Sequence, residues 1–189
     1  MHDRTTLSLP IARTPEAERM LSEFKTRYKT RLERMRNTPL HVLVWGPGTK
    51  SSSPVRNKRI QIRDDLLRRG HNAMFSEELK DIGDDLPTKI QELAQIQEAH
   101  LVISLLEDAP GALAEAHDFA NRQDTASKFF FLIPKKYQGG YSAKGAILIL
   151  SQLFNCVHWY DEGEIQNCTV LTQALRRVRL VQALVSVSG

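Results

Sequence analysis

The apolar positions of the chain fall into two regimes, and the change comes at Leu40. Before it, Met20, Leu21, Phe24, Tyr28, Leu32 and Met35 recur mainly at three- and four-residue intervals. That spacing puts side chains on one face of an α-helix. Thr14-Pro15-Glu16-Ala17-Glu18 supplies the start, with a capping hydroxyl, proline at the first helical position and acids in the first turn. Asn37-Thr38-Pro39 stops the helix, so the pattern predicts a helix running to Arg36. Its apolar stripe needs a cover, either the main domain or another subunit. Residues 1–13 carry no periodicity and are predicted to be a loose tail.

From Leu40 onward, short β-rich runs alternate with helical stretches. The runs cover 40–45, 72–75, 101–106, 128–134 and 156–160. Helical patterns cover 55–69, 111–121, 143–154 and 165–186, and one more opens at Leu86-Pro87 and carries Ile90, Leu93, Ala94 and Ile96. Such alternation implies βαβ units. The expected fold is α/β: a doubly wound, mainly parallel five-stranded sheet of Rossmann or flavodoxin type, with an N-terminal helical extension. Two regions follow, 1–37 as tail plus basic amphipathic helix and 38–189 as a nucleotide-binding α/β domain.

The 189 residues suffice for one full core, and 41% hydrophobic with 25% charged residues is ordinary for a soluble protein. No apolar run approaches the roughly 20 residues that span a bilayer. The first residues lack a signal-peptide pattern. A cytoplasmic protein without a membrane span is expected. Cys156 and Cys168 form no CxxC and have no matched histidines, so they read as reduced thiols, with no metal site. The net charge of +4 is unevenly spread: nine Lys/Arg face five Asp/Glu between Asp3 and Arg36. A solvated helix face and contact with an acidic partner both fit that pattern.

In doubly wound sheets the loops leaving the carboxyl ends of the strands gather along one edge, where ligands bind. Here those loops hold Gly46-Pro47-Gly48 with Thr49 to Ser53, then Ser76-Glu77-Glu78, then Glu107-Asp108-Ala109-Pro110-Gly111, then Pro134-Lys135-Lys136-Tyr137. The first can cradle phosphate on backbone N–H groups beside a helix start, or be a plain tight turn. It matches neither the P-loop nor the dinucleotide fingerprint. In the third, Pro110-Gly111 lets the backbone turn close to a ligand. Glu115 then falls one turn into the next helix, with Asp118 on the same face. A carboxylate there can reach a ribose, or can simply complement the helix dipole.

Strand one with Trp45-Gly46, strand two with Phe75-Ser76-Glu77-Glu78-Leu79, and Leu101 to Leu105 continuing through Pro110-Gly111-Ala112-Leu113-Ala114-Glu115 to Ala120 resemble nucleoside 2-deoxyribosyltransferase-like N-glycosidases. The likeness is closest to the branch that serves as toxic effectors of bacterial retron anti-phage systems. Glutamate-bearing ribosyl sites of this kind also occur in Toll/interleukin-receptor-like NAD-cleaving domains and in SLOG nucleotide-binding domains. The resemblance covers roughly 40–160 and rests chiefly on the strand followed by Pro-Gly-x-x-x-Glu. Two positions depart from the pattern: His100 stands where an aspartate often precedes strand three, and no Asp-x-Gly-Thr precedes the glutamate region.

The resemblance implies an N-glycosidase (a hydrolase) cleaving the base–ribose bond of a nucleotide, with NAD or a purine nucleotide as substrate and no resident cofactor. Glu115 would be catalytic. Gly46, Pro47, Gly48, Ser76, Glu77, Asp108, Pro110, Gly111 and Asp118 would bind the substrate. A toxic effector further implies restraint, by a homo-oligomer or by an inhibitory protein or nucleoprotein partner. The alternatives from other classes are a non-catalytic SLOG-like nucleotide-sensing module and, third, a partner or nucleic-acid adaptor using the basic helix and Arg176-Arg177-Arg179. His41 and His158 read as packing residues within strands, and Tyr137 and Tyr141 flank Gly139-Gly140 in a lid-like or plain surface loop.

Overall fold

Period-two alternation of side chains along the strands sorts the core into two apolar layers, one on each face of a sheet. The structure is a computed structural model and describes residues 14–48, 50, 52–79, 85–107, 122–140 and 144–188. Its strands are β1 (His41–Trp45), β2 (Asn72–Met74), β3 (Leu101–Leu105), β4 (Phe129–Pro134) and β5 (Val157–Tyr160). All pair in parallel, in the order β2-β1-β3-β4-β5. The helices are α1 (Pro15–Asn37), α2 (Pro54–Arg68), α3 (Thr88–Glu98), a single turn α4 (Gln123–Ala126), α5 (Ala146–Phe154), α6 (Glu162–Gln166) and α7 (Thr169–Ser188). The doubly wound α/β architecture with an N-terminal helix is therefore as the sequence predicts. The predicted helix over 111–121 and the tail 1–13 lie outside the described residues.

On one face, Val42, Val44, Leu101, Ile103, Leu105, Phe130 and Leu132 meet Val55, Ile62 and Leu66 of α2, Ile165 of α6, and Val170, Ala174 and Val178 of α7. On the other, Leu43, Val102, Phe129, Phe131 and Ile133 meet Ile96 of α3, Ala126 of α4 and Ile147 of α5. The rings of Phe129 and Phe131 stack at 4.9 Å, and Trp45 meets Phe129 edge-on at 5.6 Å. Each fully buried aliphatic or aromatic side chain contributes about 1.5–3 kcal/mol, so the sheet holds the fold and its loops are free to carry chemistry.

One helix assignment changes. The sequence reads 165–186 as a single closing helix, but the chain forms α6 and α7 with a break at Asn167 and Cys168. Asp161 starts α6 early, accepting the Glu164 N–H at 3.0 Å. Asn167 then turns extended and its Oδ1 accepts the Thr169 N–H at 2.7 Å. The buried Lys58 ammonium donates to the Asn167 carbonyl at 2.8 Å. Local side-chain bonds thus compete successfully with helix continuation.

Helix α1 begins as its cap predicts, with Thr14 Oγ1 accepting from Ala17 N–H. Its C-terminal end docks on α7, where Gln182 Nε2 donates to the carbonyls of Arg36 and Thr38 at 3.0 and 2.8 Å. The cover expected for its stripe is incomplete. Met20, Phe24 and Tyr28 are each more than half exposed, and no residue of α1 is buried. No described helix is long and apolar enough to cross a membrane.

The amino edge of the sheet is pinned by histidines. His71 Nδ1 accepts the Leu40 N–H at 3.3 Å and His100 Nδ1 accepts the His41 N–H at 2.9 Å. Both rings must be neutral at Nδ1 to accept. Burial lowers the pKa of each below the ordinary histidine value, assisted by Arg69 for His71 and by His41 and Lys128 for His100. A depressed histidine pKa contributes stability that is fully present above the unfolded-state value near 6.5 and is lost as pH falls through the folded-state value. The urea midpoint is therefore expected to fall between pH 7 and pH 5. The double variant His71→Asn/His100→Asn, which keeps an acceptor that cannot titrate, should flatten that fall. An equal slope in the variant would remove these two residues from the account.

Candidate active site at the carboxyl edge of the sheet

Strand order reverses between β1 and β3, because the chain winds outward from β1 to β2 and then returns past β1 to β3, β4 and β5. In doubly wound sheets such a reversal, here at the carboxyl ends of β1 and β3, marks the crevice where ligands bind. Gly46 opens the β1 loop at φ +150, and a Cβ there would lie 2.9 Å from the Leu105 carbonyl oxygen at the end of β3. Glycine is required for these two loops to start in contact. Around Gly48, by contrast, a side chain would meet open space.

Arg59 fixes the β1 loop from below. Its side chain is 1% exposed, although it sits on the core-facing stripe of α2 with Val55, Ile62 and Leu66. Nε donates to the Val44 carbonyl and Nη1 to the Pro47 carbonyl, both at 2.9 Å. Nη1 and Nη2 also grip the two oxygens of Glu77, at 2.7 and 2.5 Å. The guanidinium lies over the Phe75 ring, 4.2 Å from its centre, and Arg63 lies over the same ring at 4.3 Å. Burial works to raise the Glu77 carboxyl pKa, but its bonds to Arg59 outweigh it and hold the group below the usual carboxylate range. Ser76 Oγ donates to Glu77 Oε2 at 3.3 Å. The segment Ser76–Leu79 is a single 3₁₀ turn. Ser76 and Glu77 are thereby joined to Pro47 through one guanidinium.

The start of α2 faces the same edge. Ser53 Oγ accepts the Arg56 N–H at 3.1 Å, Pro54 is the first helical residue, and the first turn holds no acid. A cavity of about 460 Å³ opens beside it, bounded by Pro54 and Val55, by Glu107 after β3, by Lys135 after β4, and by Tyr160 and Asp161 at the end of β5. The Tyr160 hydroxyl donates to the Leu106 carbonyl, which ties the end of β5 to the start of the β3 loop. Lys135 is neutralised: its ammonium binds Asp161 Oδ2 and Glu164 Oε1 at 2.9 Å each, and Glu164 Oε2 meets His158 Nε2 at 2.7 Å. The hydrogen bond from Lys135 holds the Asp161 carboxyl below its ordinary range.

Of the sequence-predicted site residues, Gly46, Pro47, Gly48, Ser76 and Glu77 fall at this edge. Asp108, Pro110, Gly111, Glu115 and Asp118 lie outside the described residues, as does Tyr141. Leu106 and Glu107, which precede them, follow the carboxyl end of β3, and Glu107 bounds the cavity. Sequence reasoning missed Arg59, the Tyr160 tether and the Lys135–Glu164–His158 chain, in which His158 holds a carboxylate rather than packing. Among the described residues no group of His, Cys, Asp or Glu is placed to hold a metal ion. Cys156 is buried, and desolvation pushes its thiol up to about 11, so it is inert as a nucleophile. No protein-family model matches the chain, and no curated protein matches it either.

Proposed function

We propose that the chain binds a nucleotide over the β1–β3 crevice and hydrolyses its N-glycosidic bond, with Glu115 as the catalytic carboxylate. The observation that carries the reading is the reversal of strand order between β1 and β3, at whose carboxyl end the Gly46 loop and the chain toward Glu115 begin together. The adjoining cavity of about 460 Å³ lies in the range of about 300–1,000 Å³ usual for small-molecule sites. Backbone N–H groups after Gly46 and the acid-free start of α2 would receive phosphate. The exposed part of Glu77 and, beyond the described residues, Asp108 and Asp118 would take hydroxyls or the base edge.

In the reaction the C1′–N bond breaks with its electron pair leaving on the base. Glu115 stabilises or captures the positive carbon, and water supplies the hydroxyl that ends on C1′. A pyridinium base departs neutral and needs no proton, whereas a purine needs a donor; the water proton leaves to solvent or to that base. NAD and purine nucleotides are the substrate candidates. The same reading makes the chain a toxic effector of bacterial anti-phage defence in the cytoplasm, restrained by self-assembly or by a protein or nucleoprotein partner. The exposed Met20, Phe24 and Tyr28 stripe supports an assembly surface.

The test is incubation of the purified protein with NAD and a panel of purine nucleotides, followed by chromatography for free base. Release of base supports the glycosidase. Saturable binding without product would replace it with a sensing module of the SLOG type. No nucleotide binding, with oligonucleotide binding that collapses in salt, would replace it with the adaptor.

A further inference from the structure

We infer that a second ligand site, for a phosphate chain such as that of a nucleoside polyphosphate, lies at the opposite edge of the sheet. A cleft of about 570 Å³ opens where the last turn of α1, the end of α2 and the middle of α7 converge. Arg36, Arg69 and Arg179, one from each region, line it together with His71. Leu175 and Val178 give it an apolar wall, and no carboxylate lines it.

Charge accounting favours an anion. Asp65 lies nearby but is shared, binding Arg68 at 2.9 Å and Arg69 at 2.7 Å. Arg36 and Arg179 pair with no carboxylate among the described residues. Three guanidiniums with planar, forked donors match the oxygens of a phosphate chain, which they can bind bidentately. Elsewhere on α1, Arg19 faces Glu23 and Lys29 faces Glu33, while Lys25, Arg27, Arg31 and Arg34 lie along the exposed helix. In the cleft, guanidiniums from three parts of the chain converge on one volume, which suits a compact polyanion better than a long nucleic-acid backbone.

The site has a structural consequence. Arg36 belongs to α1, which buries no residue and is bonded to α7 through Gln182 at the same cleft. A ligand bridging Arg36 and Arg179 would clamp α1 to the domain. Occupancy of this site would therefore set how firmly the N-terminal helix, with its exposed apolar stripe, is presented.

The test uses inorganic tripolyphosphate, which has no glycosidic bond and no base, and ATP beside it. Calorimetry at near-physiological salt should show binding of both. Arg36→Ala/Arg179→Ala should weaken tripolyphosphate at least tenfold with little change in melting temperature, because both side chains are exposed. Arg36→Lys/Arg179→Lys should recover part of the loss. Hydrogen exchange should slow in the last turn of α1 when tripolyphosphate binds. Affinity within twofold of wild type in the alanine variant, or slowed exchange only in the loops after β1 and β3, would overturn the site. Binding of oligonucleotides without binding of tripolyphosphate or ATP would overturn the ligand class.

Discussion

Replacing Glu115 by glutamine is expected to lower base release from the preferred nucleotide by roughly 1,000-fold, the scale on which loss of a group that stabilises transition-state charge is felt. Glutamine keeps the size of the side chain and one acceptor oxygen but loses the negative charge. A neutral amide can neither attack C1′ nor balance the charge that develops there as the base departs. Nucleotide affinity should change far less than turnover, because the charge is needed most in the transition state. The melting temperature should stay close to wild type. Chromatography of free base at saturating nucleotide measures the first effect, and calorimetric binding measures the second. Wild-type turnover in Glu115→Gln would remove this residue from the chemistry.

Arg59→Met is expected to destabilise the protein by about 3 kcal/mol, the lower end of the range for breaking a buried ion pair by removing one partner. The lower end applies because Glu77 is 31% exposed and water can solvate part of the stranded carboxylate. The variant also leaves the carbonyls of Val44 and Pro47 without their donor. Methionine fills most of the space, so the loss reports electrostatics and hydrogen bonding more than a cavity. Arg59→Lys should rescue little, since one ammonium cannot serve two carbonyls and both oxygens of a carboxylate with the same geometry. Because Arg59 holds the β1 loop, nucleotide binding should weaken together with stability. Urea unfolding at pH 7 decides the matter: a loss under about 1 kcal/mol would mean that the loop does not depend on this bond set.

The strand pattern was readable because buried parallel strands are continuous apolar runs, and the runs 101–106 and 128–134 contain little else. The start of α1 was readable because a capping hydroxyl, at Thr14, precedes proline and first-turn acids. The sequence pattern passes over Asp161, the acid that caps α6, and starts that helix at 165 instead. The break between α6 and α7 escapes the pattern too, although Asp161 and Asn167 hold it by local side-chain bonds. Only the bond from Lys58 to the Asn167 carbonyl comes from more than a hundred residues away. Of the candidate site, the Gly46 turn and Glu77 were legible as loop residues at the carboxyl edge, but not the guanidinium that joins their loops. Arg59 carried a signal that periodicity alone could have exposed: it occupies the i+4 position above Val55, on a stripe continued by Ile62 and Leu66. A charged residue on a core stripe demands a partner, and Glu77, just after the neighbouring strand, supplies one. Lys135 is a second case. The sequence places it in a loop at the carboxyl edge, but its pairing with Asp161 and Glu164 shows only in the structure.

The central claim is that a nucleotide sits over the carboxyl ends of β1 and β3. Hydrogen exchange followed by mass spectrometry, with and without saturating nucleotide, tests it most directly. Exchange should slow in segments 46–53 and 106–121, the loop after β1 and the chain running on to Glu115, in Glu115→Gln as well as in wild type. Unchanged exchange in both segments at a nucleotide concentration that saturates binding would contradict the account.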